Sequence, residues 1–139
     1  MRDITKNNKL IAEFMGGKLS NHSPDLINMP QTIGDAKIHC VKGSALLPNG
    51  TYSLCYLHEL KYHSSWDWLM PVVEKINNTT DEFGNEMDFQ IGNGFVWVDP
   101  PIGNRIYFSG NEIDHKKEPM IDKVYKAVVE FMQWYNQKN

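Results

Sequence analysis

Residues 87–110 read MDFQIGNGFVWVDPPIGNRIYFSG, and the fold class turns on them. Met87 to Ile91 and Phe95 to Asp99 flank Gly92-Asn93-Gly94, and Asn-Gly favours the positive backbone angles of a two-residue hairpin turn, so these strands pair antiparallel. Asp99-Pro100-Pro101-Ile102-Gly103-Asn104 forms the next turn, and Arg105 to Ser109 reads as a further strand. Short turns between consecutive strands leave no room for the helical crossovers of a parallel sheet.

Downstream, Pro119 suits a first helical position, and Ile121, Val124, Tyr125, Val128, Phe131, Met132 and Tyr135 recur at spacings of three and four. They predict a helix that buries one face over roughly five turns. Upstream, Ser64-Ser65 offer an N-cap, and Trp66, Leu69, Met70, Val73 and Ile76 form a helical stripe up to Asn77-Asn78, with Pro71 expected to kink it or tighten its first turn. Leu10, Ile11, Phe14 and Met15 predict a first helix over about residues 6–16, capped among Thr5 to Asn8 and stopped by Gly16-Gly17. Ala36 to Lys42 and Tyr52 to Leu57 are strand candidates around a turn at Leu47-Pro48-Asn49-Gly50. If the second of these runs on, Tyr52, Leu54, Tyr56, His58, Leu60 and Tyr62 share a face. Residues 18–35, mixed in Ser, Asn, Pro and Gly, read as a long connection and a candidate mobile segment. The order helix, strands, helix, strands, helix is that of an α+β domain with a mainly antiparallel sheet, and 139 residues fit one domain spanning 1–139.

Composition narrows the function classes. The 41% hydrophobic content sustains a packed core, which excludes wholesale disorder. With 14 Lys plus Arg against 17 Asp plus Glu, the formal charge of -3 argues against nucleic-acid binding by counterion release. Residues 76–104 carry no Lys or Arg but contain Asp81, Glu82, Glu86, Asp88 and Asp99, whereas the last helix is mildly basic. No run has the length of a membrane span, and MRDITKNNKLIAEF has no apolar leader core, so the expectation is a cytoplasmic protein whose Cys40 and Cys55 stay reduced.

The chemistry-bearing residues cluster thinly. His58-Glu59-Leu60-Lys61-Tyr62-His63 places its histidines five apart, one too many for a zincin helix, and a structural hydrogen-bonded histidine is the simpler reading. Asp81 to Asp88 has its glycine in the wrong place for a calcium loop, and Gly92-Asn93-Gly94 lacks the following helix of a phosphate loop. No metal ligand set and no cofactor is expected. His63 and Asp67, with Trp66 and Trp68 beside them, form the densest polar and aromatic group, a candidate ligand pocket set against a simple first-turn acid and a core tryptophan. Trp97 and Trp134 are candidate interface anchors, weighed equally against closing the edges of the core.

IAEFMGGK (11–18), HSSWDWLMPVVEKI (63–76) and YKAVVEFMQWYN (125–136) together resemble small proteins encoded by bacteriophages and prophages of gut bacteria, of the phage ABA-sandwich type. The resemblance implies a single-domain α-β-α sandwich and a phage or mobile-element origin, and it carries over no catalytic position. The expectation is therefore a small accessory protein without catalytic activity that binds a protein partner or a second copy of itself, through contacts drawn from His63, Trp66, Asp67, Trp97 and Trp134. The alternatives are a small-molecule binder or enzyme using a His63/Asp67 pocket, and nucleic-acid contact through Lys123 and Lys126.

Overall fold

A computed structural model describes residues 3–20, 24–30, 32–33, 36–37, 52–81, 83–110 and 118–138. The chain is α+β: among these residues three α-helices accompany two three-stranded sheets and one two-stranded ribbon, and every strand pairing is antiparallel. It divides into two compact units, Met1–Pro71 and Val72–Asn139.

The first unit opens with helix α1 (Ile4–Phe14), two residues ahead of the expected start. The Asp3 carboxylate accepts from the Lys6 N–H and caps it, a role the sequence had suggested for Thr5 to Asn8. The expected glycine stop is present: Gly16 takes a φ of 101° and the Gly17 N–H reaches back to the Ala12 carbonyl, the pattern of a left-handed C-terminal cap. Strands β1 (Lys18–Leu19), β2 (Leu26–Pro30) and β3 (Thr32–Ile33) occupy the stretch read as a connection, and β4 (Ala36–Lys37) lies at the start of the expected Ala36–Lys42 strand. Their signal is weak because the strands are short and polar residues interrupt the apolar ones. Sheet order is β1-β2-β5, with β5 at Tyr52–Tyr56 and Ile27 opposite Cys55. The turn at Leu47 to Gly50, the continuation of Ala36–Lys42 past Lys37, and Cys40 lie outside the described residues.

Two expectations fail here. The β5 alternation does not run on to Tyr62, because Leu57–Glu59 coils into a 3-10 turn once the Glu59 carboxylate accepts the Tyr56 N–H, leaving Leu60 and Tyr62 both buried. Cys55 is disulfide-bonded rather than a reduced thiol, and Cys40 is the only other cysteine in the sequence. Composition along the chain carries no information about which sulfurs a fold brings together.

Helix α2 (Trp66–Asn77) starts after Ser65, whose carbonyl accepts from Trp68 and Leu69. Trp68, Leu69, Val72, Val73 and Ile76 are buried, whereas Trp66 and Met70 are exposed, so the apolar stripe is rotated from the expected one. Pro71 lies inside the helix, where it cannot donate to the Asp67 carbonyl, and the two units divide immediately after it.

In the second unit, β6 (Asp88–Ile91), β7 (Val96–Asp99) and β8 (Tyr107–Ser109) form a meander in that order, with Phe89 opposite Val98 and Trp97 opposite Phe108. Side-chain alternation buries Phe89, Val96 and Val98 and turns Asp88, Gln90, Trp97 and Phe108 to the other face. Helix α3 (Met120–Lys138) packs against β7 and β8 through the expected stripe, with Val124, Val128, Phe131 and Met132 buried. Pro119 precedes its first residue, and its carbonyl accepts from Asp122 and Lys123.

Candidate interaction surface

The sequence-derived site residues fall into two groups, one in each unit. At the start of α2, Trp66 (41% exposed) and Asp67 face outward. His63, half-buried just before the helix, has its Nδ1 2.9 Å from the Asn8 Nδ2, and the same amide nitrogen donates to the Leu60 carbonyl at 3.2 Å. Asn8 is itself 1% exposed, so His63 is a hydrogen-bonded histidine that fastens α1 to the 60–63 turn.

Trp97 and Trp134 sit in the second unit. On the outer face of β7, Trp97 stacks on Phe95 with centroids 5.0 Å apart and planes 9° apart. The Arg105 guanidinium lies 5.4 Å from the Trp97 ring and 5.2 Å from the Phe108 ring. The stripe continues at both ends onto glycines. A Cβ on Gly92 would lie 1.9 Å from the Phe95 ring and one on Gly110 would lie 2.9 Å from Phe108, so both rings rest on bare backbone. Asp99 grips Arg105 through both carboxylate oxygens, at 2.7 and 3.1 Å, and this pairing raises the guanidinium pKa further. Trp97 completes the array by donating its Nε1–H to Asp88. The partners of Arg105 and Trp97 thus come from the stripe itself.

Trp134, in the last turns of α3, tilts against Phe131 at 5.9 Å and lines a cleft of about 530 Å³. Two turns rim this cleft. In the first, the Asp81 Oδ1 accepts the N–H groups of Asn85 and Phe83, both at 2.9 Å, and the Asp81 N–H donates to the Asn85 carbonyl. These bonds, led by that from Asn85, hold the Asp81 carboxyl below the usual aspartate range. The loop so closed carries Phe83, 73% exposed. On the other rim, Pro100-Pro101 precedes Ile102, 69% exposed. Met87 and Tyr135 complete the apolar lining. Past Trp134, Ile102 and Pro100 the cleft adjoins a second one of about 420 Å³, lined by Arg105, Glu130 and Gln133 among others, so Arg105 borders both the Trp97 stripe and this second cleft.

Sequence reading singled out Trp134 but not Phe83 or Ile102, which lie in segments that read as solvated turns. Of the two lysines weighed for nucleic-acid contact, Lys123 is buried, donating to the Gly94 and Gly110 carbonyls, and Lys126 pairs with Glu118. Among the described residues no group of three His, Cys, Asp or Glu could hold a metal ion, and no helix is long and apolar enough to cross a membrane. Compared with protein-family models, curated proteins and solved structures, the chain matches none.

Proposed function

We propose that the protein is an interaction module that works by binding rather than catalysis, with the Trp134 cleft as its contact surface. One observation carries this reading: the two most exposed large apolar side chains among the described residues, Phe83 and Ile102, rim the same cleft. Exposed apolar groups that converge around a concavity mark binding surfaces, whereas scattered ones do not. Both rims are stiffened locally, by the Asp81 hydrogen bonds and by Pro100-Pro101, so binding there forfeits little conformational entropy.

The remaining expectations enter as proposals of the same kind. Phage or prophage origin rests on the three resembling blocks. Residence in the cytoplasm rests on the N-terminal composition, and the disulfide at Cys55 pulls the other way, since disulfides persist mainly in oxidising compartments. The partner is a protein rather than a nucleic acid, because among the described residues Asp81 is the only charged side chain lining the first cleft.

A tagged pulldown from host lysate, with nuclease added, tests the reading. Wild-type protein should retain a stoichiometric protein partner, and the double variant Phe83→Ser/Ile102→Ser should lose it while keeping its circular dichroism and melting temperature. Equal retention by both would remove the cleft from the contact surface.

A further inference from the structure

Resting on that reading, we infer that the cleft takes a short extended peptide with a proline-rich apolar core and a flanking Arg or Lys, whose cation sits at Asp81. Shape comes first. The two adjoining clefts share Pro100, Ile102 and Trp134, so together they make one concavity longer than either cleft alone. An extended chain rises about 3.1 Å per residue and its polyproline form is already ordered, which suits a long preformed groove.

The lining then selects the core of the peptide. Phe83, Trp134 and Tyr135 supply aromatic rings, and the polar side chains beside them are few: Thr79, Thr80 and Asp81. A sugar or nucleotide would need many convergent polar groups to replace its hydration. Proline and aliphatic side chains need flat apolar surface, and aromatic-lined grooves recognise proline-rich segments in this way.

Charge selects the flank. Among the described residues no basic side chain lines the first cleft. In the second, Arg105 is neutralised by its two-point contact with Asp99, and Glu130 also belongs to the lining. Residues 76–104, which carry β6, β7 and both rim turns, have five carboxylates and no Lys or Arg, and Arg105 follows them. Its field favours a cationic ligand and opposes an acidic one.

The test is fluorescence anisotropy with dye-labelled synthetic decapeptides of proline and leucine that end in Arg, in Glu, or in Arg with the prolines replaced by glycine. The Arg-Pro peptide should bind about fivefold or more tighter than the Glu peptide, as a partly exposed ion pair predicts. That preference should shrink in 0.5 M salt. Ile102→Lys, which replaces an apolar rim contact by a cation without touching the Asp81 loop, should weaken the Arg-Pro peptide more than the Glu peptide. Asp81→Asn should level the two. Equal binding of Arg and Glu peptides, equal binding of the glycine peptide, or no binding of any would overturn the inference. The pulldown result with Phe83→Ser/Ile102→Ser is independent of these outcomes, so failure of the peptide chemistry and failure of the cleft are told apart.

Discussion

Asn77 completes the backbone hydrogen bonding of Phe89: its Oδ1 accepts the Phe89 N–H at 2.8 Å and its Nδ2 donates to the Phe89 carbonyl at 3.2 Å. Phe89 stands opposite Val98 in β6, an outer strand of its sheet, and an outer strand presents unpaired backbone groups to solvent or to another chain. One side-chain amide at the end of α2 therefore does the work of a neighbouring strand. Asn77→Ala should destabilise the protein by about 1–3 kcal/mol, because the partners it leaves are part-buried. Asn77→Asp, which keeps the acceptor and loses the donor, should fall between the two in a urea titration. A loss within about 0.3 kcal/mol for the alanine variant would show that water replaces the amide.

Lys123 should prove a structural rather than a surface lysine. It is 6% exposed, and its Nζ donates to the carbonyls of Gly94 and Gly110, tying the β6–β7 turn to the end of β8. Lys123→Met keeps the apolar stem but leaves both carbonyls without the donor, and a loss of about 1–3 kcal/mol is expected. Amide hydrogen exchange should speed up around residues 92–96 more than in α1. Uniform exchange across the chain would show that the ammonium fastens nothing locally.

Tyr62 points to a change that should not harm. Its ring is fully buried and meets Trp68 edge-on at 5.2 Å, yet its hydroxyl has no hydrogen-bond partner among the described residues. Removing a buried, unsatisfied hydroxyl relieves a desolvation penalty, so Tyr62→Phe should be neutral or stabilising by about 1 kcal/mol. A drop in chemical-denaturation midpoint beyond error would mean that the hydroxyl has a partner in solution.

The tyrosines also set an alkaline limit. Burial pushes Tyr125 up to about 12 and Tyr62 higher still, and burial, with the Glu118 carboxylate, raises Tyr107. Unfolded tyrosines ionise near pH ~10, so above that pH the unfolded chain holds fewer protons than the folded one and stability must fall as pH rises. The contribution is fully present below about pH 10 and is lost as pH climbs through the folded values. Absorbance at 295 nm should show fewer than the full six tyrosines titrating near pH 10, and the rest appearing together with loss of secondary structure. All six titrating before any unfolding would contradict the burial.

The class, the order of the helices, the 87–110 meander and the stripe of α3 were legible along the chain, because each rests on a local rule: Asn-Gly turns a hairpin, spacings of three and four make one helical face, and paired glycines stop α1. Residues 18–33 hid their strands, since two- and five-residue strands give alternation too few positions to show itself. The phase of α2 was also out of reach. Trp66 and Trp68 are equally apolar, and only the packing around them decides which one is buried.

The candidate site followed the same division. Residue type was enough to single out Trp97 and Trp134 as candidates, and residue spacing argued against a zincin, a calcium loop and a phosphate loop. It could not join Phe83 to Ile102, which lie 19 positions apart in two polar turns and become one rim pair only when the sheet and α3 bring those turns to the same cleft. Local sequence carries propensity and periodicity. Which side chain meets the ammonium of Lys123, which amide seals Phe89, and which exposed groups share a concavity are decided by contacts between residues distant along the chain, and those exist only after folding.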